Sequence, residues 1–410
     1  MSESIQKRLK LTQFKLNTIL NITNAINTNI SVKQLINIFQ NVIIKDLFIG
    51  KVSIYRYNGK CWKSILDVGV KKRFLNDFDF SVFNNSTQIK STRELNSEKL
   101  KIYDFAIPVY HKKTPLGYVF IGDIDEEKYG MSPSVKHINF IQILANILMV
   151  AIENKRLFRD SLNQIAIKKE MELAANMQKM LIPDNEQLPN NKDIRVHAYY
   201  EPYFQIGGDY YDFIKLDGDN IAFCIADVSG KGTSAAILMS NFQANLRALI
   251  STDVSLSELI IKLNKRIVDL TNSDKFITIF LGRYNYKTKV LDYVNCGHLP
   301  PLIYYKETKK CEQLKKGTIG IGMLNTIPKI TEGKISLNED VRIICFTDGV
   351  VETEDKNETE FGIQPIINEL SKNKSIDIAI NTIVTKLKHF NSKESLFDDV
   401  TILGIDIFYN

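Results

Sequence analysis

The sequence has few of the residues that mark disulfide-rich, zinc-thiolate or membrane proteins. Its five cysteines include no Cys-x-x-Cys pair, which argues against a disulfide framework or a zinc site and favours a reducing compartment. The start, MSESIQKRLKLTQFK, has no apolar core of the signal-peptide kind. The most apolar helical stretch, 138–152, is short and contains three amide side chains. We therefore expect no membrane span and a cytoplasmic protein.

A strong charge of either sign is also missing. The 53 Lys and Arg residues are nearly balanced by 47 Asp and Glu, and the formal net charge is +6. The basic residues are spread along the chain, so the sequence gives no indication of nucleic-acid binding. With 44% apolar and 24% charged residues in 410, the composition is that of a folded protein long enough for two domains.

Residues 1–150 have the pattern of a separate α+β module. Helical periodicity over 11–26 and 32–47 precedes an alternating strand, 50–59, that ends in an Asn-Gly hairpin signal. Residues 103–123 predict two strands around a turn at 114–117. This order, with AIPVYHKKTPLGYVFIGD before a long helix, resembles a GAF-type sensor domain. The resemblance implies that the module binds a small molecule or protein ligand, or pairs with a second copy, and no residue identifies a ligand.

A long linker helix is predicted over 134–185, because no proline or glycine occurs between Pro133 and Pro183. Its apolar positions step by threes and fours, slip near Lys169 and then resume. This broken heptad favours a two-stranded coiled coil and thus a homodimer. The alternative is a single helix that lies on its own domain.

From residue 190 to 410 the pattern changes to strands with pairs of helices between them. Apolar runs such as IAFCIA and IICF predict strands buried on both faces. Helical stretches are predicted over 233–252, 256–271, 362–372 and 376–391. Together they predict a β-sandwich covered by helices on both outer faces, and an α+β class for the whole chain.

Acidic residues stand at four strand ends in this region. Asp209 follows two glycines in IGGDYYDF, Asp227 ends an apolar strand before VSGKG, Asp348 ends another before Gly349, and Asp398 and Asp399 begin the last strand. Any one of them alone is commonly a turn former or a helix cap. If the strand ends meet, the carboxylates repel each other unless divalent cations hold them. An all-oxygen ligand set favours Mg²⁺ or Mn²⁺, and a pair of ions suits phosphate-ester hydrolysis.

The ordered motifs GGDYYDF, ADVSGKG, NCGHLPP, FTDGVVET and DDVTIL resemble those of the SpoIIE/RsbU branch of the PPM metal-dependent protein phosphatases. The resemblance covers about 190–410. It implies an α-β-β-α sandwich, two Mn²⁺ or Mg²⁺ ions, and removal of phosphate from serine or threonine of a partner protein. The family suggests an anti-sigma-factor antagonist of the STAS fold as that partner.

The same resemblance assigns site residues one by one. Asp209 corresponds to an acid that holds a metal directly or through water, Asp227 to the acid that bridges both ions, and Asp348 to a further ligand. Val228 stands where a backbone carbonyl completes one coordination shell. Asp398 matches the C-terminal metal acid best, with Asp399 as the neighbouring alternative.

The sequence also departs from the family pattern at several places. No histidine follows Asp227, so the group that protonates the leaving oxygen is unassigned, and Gln205 stands where other members grip phosphate with an arginine. Lys231 is either a site cation or, as we favour, a solvated turn residue. His298 in NCGHLPP is either a base or, as we favour, structural. Tyr210 and Tyr211 follow Asp209 in an expected strand, so one of them should pack in the core and the other should lie at the rim of the sandwich mouth.

Two alternative functions remain open from the sequence. In the first alternative, the chain is a signalling scaffold that keeps this fold without activity. In the second, which has less support, GGDYY relates the chain to the nucleotide cyclases of the GGDEF family. The cyclase interpretation predicts one metal motif in an alternating α/β domain and leaves FTDGVVE and DDVTIL without a role.

Overall fold

The structure, a computed structural model, describes residues 2–71, 75, 78–83, 88–95, 97–111, 114–122, 133–391 and 398–409. It divides into two compact units, Met1–Ile165 and Ala166–Asn410. One long helix, α3, contributes its first part to the first unit and its last turns to the second.

The first unit is built on one antiparallel sheet. Its elements are α1 (Ser2–Asn27), α2 (Val32–Asn41), β1 (Lys51–Tyr57), β2 (Trp62–Val68), β3 (Lys90–Ser91), β4 (Phe105–His111), β5 (Thr114–Gly122) and the start of α3 (Pro133–Lys179). The strand order is β2-β1-β5-β4-β3. One apolar core joins α2, α3 and the sheet, and a second core is largely aromatic. A sheet with helices of this kind is compatible with a GAF-like sensor.

Two local predictions in this unit need correction. The predicted turn at 114–117 is wrong, because these residues lie in β5, where Thr114 pairs with His111 of β4. The predicted helix 32–47 is not uniform either. α2 ends at Asn41, and a π-helical turn continues over Val42–Asp46. In this turn the backbone hydrogen bonds span five residues, one more than in an α-helix.

Helix α3 combines a buried first half with an exposed second half. His137–Lys179 is long and apolar enough to meet a membrane-span criterion, but half of its most apolar window is buried inside the protein. The buried side chains, among them Ile141, Leu144 and Leu148, pack in the core of the first unit. Core helices commonly pass the same test, because both environments require apolar side chains.

The second unit contains two stacked sheets. Its remaining elements are β6 (Ile194–Glu201), β7 (Tyr210–Lys215), β8 (Asn220–Val228), α4 (Thr233–Leu249), α5 (Leu256–Thr271), β9 (Ile277–Asn285), β10 (Val290–Cys296), β11 (Leu302–Tyr305), β12 (Cys311–Gln313), β13 (Gly317–Thr318), β14 (Gly333–Ser336), β15 (Val341–Phe346), α6 (Asp348–Val351), α7 (Gln364–Leu370), α8 (Ile376–Phe390) and β16 (Val400–Ile407). One sheet has the order β13-β10-β9-β8-β7, with β14 beside β10, and the other has the order β12-β11-β15-β16-β6.

The predicted α-β-β-α sandwich is confirmed. The large core holds inward side chains of both sheets together with those of α4 and α5. A separate core joins α7 and α8 to the outer face of the second sheet. This is not the alternating α/β domain that the cyclase interpretation requires.

The strand registers bring the acid-bearing ends to one edge. In the first sheet Tyr210, at the start of β7, pairs with Ala226, one residue before Asp227. In the second sheet Phe346, at the end of β15, pairs with Ile402 near the start of β16. Because antiparallel neighbours begin where their partners end, the acid before β7 lies near the one at the end of β8, and the acids before β16 lie near the one that follows β15.

Candidate active site

Asp209 is the most deeply buried acid of the cluster, with 1% of its surface exposed. Its Oδ2 accepts hydrogen bonds from the Thr347 hydroxyl, at 2.8 Å, and from the Thr401 hydroxyl. Burial, followed by the charges of Asp227 and Asp399, raises the pKa of Asp209 well above its usual range. The two threonines, one directly after β15 and one in β16, fix one carboxylate oxygen, so the second sheet holds an acid that precedes β7 of the first sheet.

Asp227 stands where β8 ends and interacts with most of the other acids. Burial raises its pKa to about 7, and the charges of Asp348, Asp398 and Asp399 add to the shift. Like charges raise the pKa of a carboxyl group when they are near it in a poorly hydrated place. The predicted convergence of these acids is therefore present in the structure.

Asp348 begins α6 directly after β15. Burial, and then the charge of Asp398, raises its pKa. The next residue, Gly349, lies so close to the backbone carbonyl of Asp399 that a Cβ atom would clash with it. The glycine thus allows α6 to pack against the start of β16 and brings Asp348 beside Asp398.

Asp398 and Asp399 have different surroundings, although the sequence could not separate them. The Asp399 carboxylate accepts backbone N–H bonds from Tyr203 at 2.8 Å, Gly208 at 2.6 Å and Asp209 at 3.3 Å. Asp398 Oδ2 instead lies 2.7 Å from Lys231 Nζ. Asp399 is thus occupied in holding the 203–209 loop, while Asp398 faces a cation.

The candidate donors for a divalent cation are the carboxylates of this cluster and one backbone carbonyl. Across the described ranges, no group of three or more His, Cys, Asp and Glu side chains has the spacing of a closed metal cage. The acids nevertheless offer only oxygen atoms. The Val228 carbonyl oxygen lies beside the glycine that precedes Asp209, since it is 3.0 Å from the position that a Gly208 Cβ would take. Buried carboxylates with mutually raised pKa values fit a hard divalent ion better than they fit each other.

Three residues near the acids were missed or undervalued from the sequence. Thr347 and Thr401 belong to the quoted motifs FTDG and DDVT, yet only the folded chain shows that both donate to Asp209. Lys231, which we favoured as a solvated turn residue, pairs with Asp398 and lies 5.2 Å from the centre of the Tyr203 ring.

Two neighbouring predictions have different outcomes. His298 is 6% exposed, its Nδ1 lies 3.0 Å from the Thr278 hydroxyl, and burial lowers its pKa to about 4. A neutral, buried imidazole agrees with the structural role. The expected division between the two tyrosines is wrong, because Tyr210 and Tyr211 are both buried. The Tyr211 hydroxyl donates to the Pro183 carbonyl at 2.7 Å, which draws its ring inward.

The fold and this cluster together define the class. An α-β-β-α sandwich with buried acids at one edge of both sheets is a PPM-type phosphatase domain. Residues 217–408 match the family described as stage II sporulation protein E (SpoIIE). This part of the chain is therefore similar to the SpoIIE/RsbU-type protein phosphatases.

Individual relatives agree with this assignment. The chain is 29% identical over 246 residues to phosphoserine phosphatase RsbU of Bacillus subtilis (strain 168), an alignment that covers 58% of this chain and 70% of RsbU. It is 25% identical over 189 residues to phosphoserine phosphatase RsbP of the same organism, covering 45% of this chain and 46% of RsbP.

A solved structure supports the fold. The SiaA-PP2C domain of Pseudomonas aeruginosa superposes with a TM-score of 0.53 at 16% identity, over 60% of this chain and 99% of that domain. At this identity the likeness shows the shared sandwich.

Proposed function

We propose that the second unit hydrolyses phosphoserine or phosphothreonine on a partner protein and that it requires divalent cations, Mn²⁺ or Mg²⁺, two at a time. The observation that carries this proposal is the cluster of acids from four strand ends, in which Asp227 has a pKa of about 7. Such a cluster destabilises the fold unless it binds something positive. The similarity to phosphatases supports the reaction class.

The residues that would hold the ions are Asp209, Asp227, Asp348 and Asp398, together with the Val228 carbonyl. Asp399 is the weaker candidate, because backbone N–H groups already use both of its oxygens. Bound divalent ions would supply a water with a near-neutral pKa and neutralise the charge of a phosphate.

The remaining chemistry falls to the chain itself. Thr347 and Thr401 hold Asp209 through one oxygen and leave the other oxygen for the site. Lys231, at the Asp398 side, offers a positive charge to a phosphate dianion. In the reaction a water oxygen forms a bond to phosphorus while the bond between phosphorus and the serine or threonine oxygen of the substrate breaks. No side chain of the enzyme is covalently modified. His298 is an unsuitable acid, because it is buried and neutral.

The proposed organisation assigns regulation to the rest of the chain. Residues 1–150 would form the GAF-like sensor, 134–185 the linker helix, and 190–410 the phosphatase. Exposed apolar side chains along α3, such as Phe158 at 67% and Leu173 at 65%, support pairing of two linker helices in a homodimer. The substrate class that we propose is a phosphorylated regulatory protein with a STAS-like fold.

The enzyme and the silent scaffold are separated by one assay. Phosphate release from p-nitrophenyl phosphate and from a phosphoserine protein is measured with added Mn²⁺ for the wild type, Asp227→Asn and Asp348→Asn. Asp253→Asn, an exposed acid outside the cluster, is the control. We expect both cluster variants to lose at least about 100-fold in rate and the control to match the wild type. Equal rates in all four proteins would refute catalysis.

A further inference from the structure

Very few side chains in the last turns of α3 are buried. From residue 166 to 180 every side chain is exposed except those of Ala175, which is half-buried, and Gln178, which is 6% exposed. Met177 and Met180, on either side, are 70% and 82% exposed. An amide that is buried while its apolar neighbours are exposed reverses the usual preference, so its contacts need an explanation.

Both polar atoms of the Gln178 side chain bind the backbone of one residue. Gln178 Nε2 donates to the Gly207 carbonyl at 2.7 Å, and the Gly207 N–H donates to Gln178 Oε1 at 3.2 Å. The carboxamide therefore satisfies both backbone groups of Gly207, as a neighbouring strand would. Gln178, the penultimate residue of α3, thus makes the two hydrogen bonds that a neighbouring strand would make to the loop that leads into β7.

Gly207 is held from the opposite side as well. A Cβ atom at this position would clash with the Tyr200 hydroxyl and the Asp399 carboxylate, so only glycine fits between Gln178 and Asp399. Asp399 also accepts the N–H of the next residue, Gly208, at 2.6 Å. The backbone of residues 207 and 208 is therefore clamped between two side chains from distant parts of the chain, immediately before Asp209.

We propose that Gln178 is a positioning residue for Asp209: it fixes the Gly207–Gly208 backbone so that the Asp209 carboxylate is presented to the divalent cation. This inference rests on the proposed role of Asp209 as a metal ligand. Groups that orient a ligand commonly change metal affinity by about 10- to 100-fold when removed. The linker helix thereby reaches the candidate metal site through one side chain.

The test uses a volume-conserving variant with a matched control. Gln178→Met keeps the size and removes both hydrogen bonds. Asn185→Leu removes a similar pair of bonds, since the Asn185 amide binds the N–H and carbonyl of Ala198 at 2.8 and 2.9 Å, in strand β6 and away from Asp209. Gln178→Glu is a second variant, which keeps the acceptor for the Gly207 N–H and removes the donor.

Two readouts other than activity are compared in the full chain. Hydrogen–deuterium exchange of the metal-free proteins is expected to be at least about tenfold faster over 203–209 in both Gln178 variants, and unchanged there in Asn185→Leu. Calorimetric titration with Mn²⁺ is expected to give a Kd about 10- to 100-fold higher for the Gln178 variants only. Wild-type exchange and Kd in Gln178→Met, or equal changes in Asn185→Leu, would overturn the proposal.

The two proposals fail in distinguishable ways. A wild-type protein without phosphatase activity would end the proposed function, whereas the exchange comparison would still decide whether Gln178 holds the loop. A wild type that dephosphorylates its substrate, with Gln178 variants of unchanged Kd for Mn²⁺, would end only the positioning role.

Discussion

The two units bury polar groups of different kinds. Among the described residues, those of the first unit that are buried and polar carry hydroxyl groups: Thr18, Ser53 and Thr92. The second unit buries ionisable side chains as well: Asp209, Asp212, His298, Glu339, Arg342, Glu369, Asp399 and Asp406. Desolvating a charge is far more costly than desolvating a hydroxyl. The second unit accepts this cost at its candidate site, whereas the first unit is stabilised in the ordinary way, by apolar and aromatic packing.

Not all buried charges of the second unit serve the site. Arg342 and Asp406 form a bidentate pair with distances of 2.7 and 2.8 Å, and each side chain is only 2% exposed. This pair joins β15 to β16, and Arg342 also donates to the Lys374 carbonyl at 2.5 Å. Among the residues that the structure describes, the acids around Asp227 have one such cationic partner, Lys231 at Asp398. Buried charge therefore has a structural use and a chemical use within one unit, and mutations should separate them.

The largest expected effect is on stability. Arg342→Ala leaves the Asp406 carboxylate buried without its main partner, and we expect the unfolding free energy of the second unit to fall by about 3–5 kcal/mol. Urea denaturation followed by far-UV circular dichroism measures this. The single tryptophan, Trp62 in β2, reports on the first unit, so its fluorescence transition should not move. A double variant, Arg342→Met with Asp406→Leu, should recover most of the loss.

The next effect is on activity. Thr401→Val removes one of the two hydroxyl groups that hold Asp209 and keeps the β-branched shape that suits β16. We expect phosphatase activity to fall about 10- to 100-fold, because a group that orients a ligand is lost. The control is Thr353→Val, a buried threonine whose hydroxyl donates to the Gly349 carbonyl instead. If both variants lose activity equally, the hydrogen bond from Thr401 to Asp209 has no particular importance for activity.

A third effect is the pH dependence of the metal-free protein. The folded-state pKa of Asp227 is raised to about 7, above an unfolded value of about 3.9, so the folded state binds more protons between these values. Stability must therefore fall as the pH rises from about 4 to 7. We expect a loss of at least about 1.4 kcal/mol, the equivalent of one pKa unit. Thermal denaturation at both pH values measures it.

The same experiment contains its own control. Saturating Mn²⁺ should remove the pH dependence, because bound cations keep the acids ionised, and Asp227→Asn should reduce it without metal. A wild type that is equally stable at about pH 4 and pH 7 without metal would contradict the repulsion between these acids.

The smallest effect belongs to the first unit. The Tyr103 hydroxyl lies 2.7 Å from Ser53 Oγ, which also donates to Asp67 at 2.7 Å. Tyr103→Phe therefore leaves Ser53 with a partner, and the cost should be about 1 kcal/mol. The Trp62 fluorescence transition should shift by that amount while phosphatase activity per folded molecule stays unchanged. A loss above about 3 kcal/mol would mean that this unit, too, depends on a polar network.

The parts that sequence reasoning predicted are those with local signals. Helices α4, α5 and α8 follow from amphipathic periodicity, and β8, β15 and β16 from apolar runs bounded by acids and glycines. The family motifs pointed to the acids now found together. The turn before β5 was misplaced because Thr-Pro-Leu-Gly is a strong turn signal, yet tertiary pairing extended the strand through it.

The parts that were not predicted depend on contacts distant in the sequence. Gln178 meets Gly207 across 29 residues, and Asp399 meets Gly208 across 191. Nothing near Gln178 in the sequence marks it, because its exposed neighbours have the same helical pattern. Lys231 was judged by the base rate for lysine, and only the packing of the two sheets brings this residue, which follows β8, to Asp398, which precedes β16.

Strand β16 lies between β15 and β6, with Val400 opposite Glu201 and Ile402 opposite Phe346. Until residues 400–407 have left the exit tunnel, β6 of a nascent chain therefore has no partner strand in this sheet, and β15 is paired only with β11. Exposed strand edges of this kind invite association with other chains, so chaperones have their clearest target here during synthesis. Closure of the sandwich by β16 should be late and slow, because its pairing with β6 spans some two hundred residues.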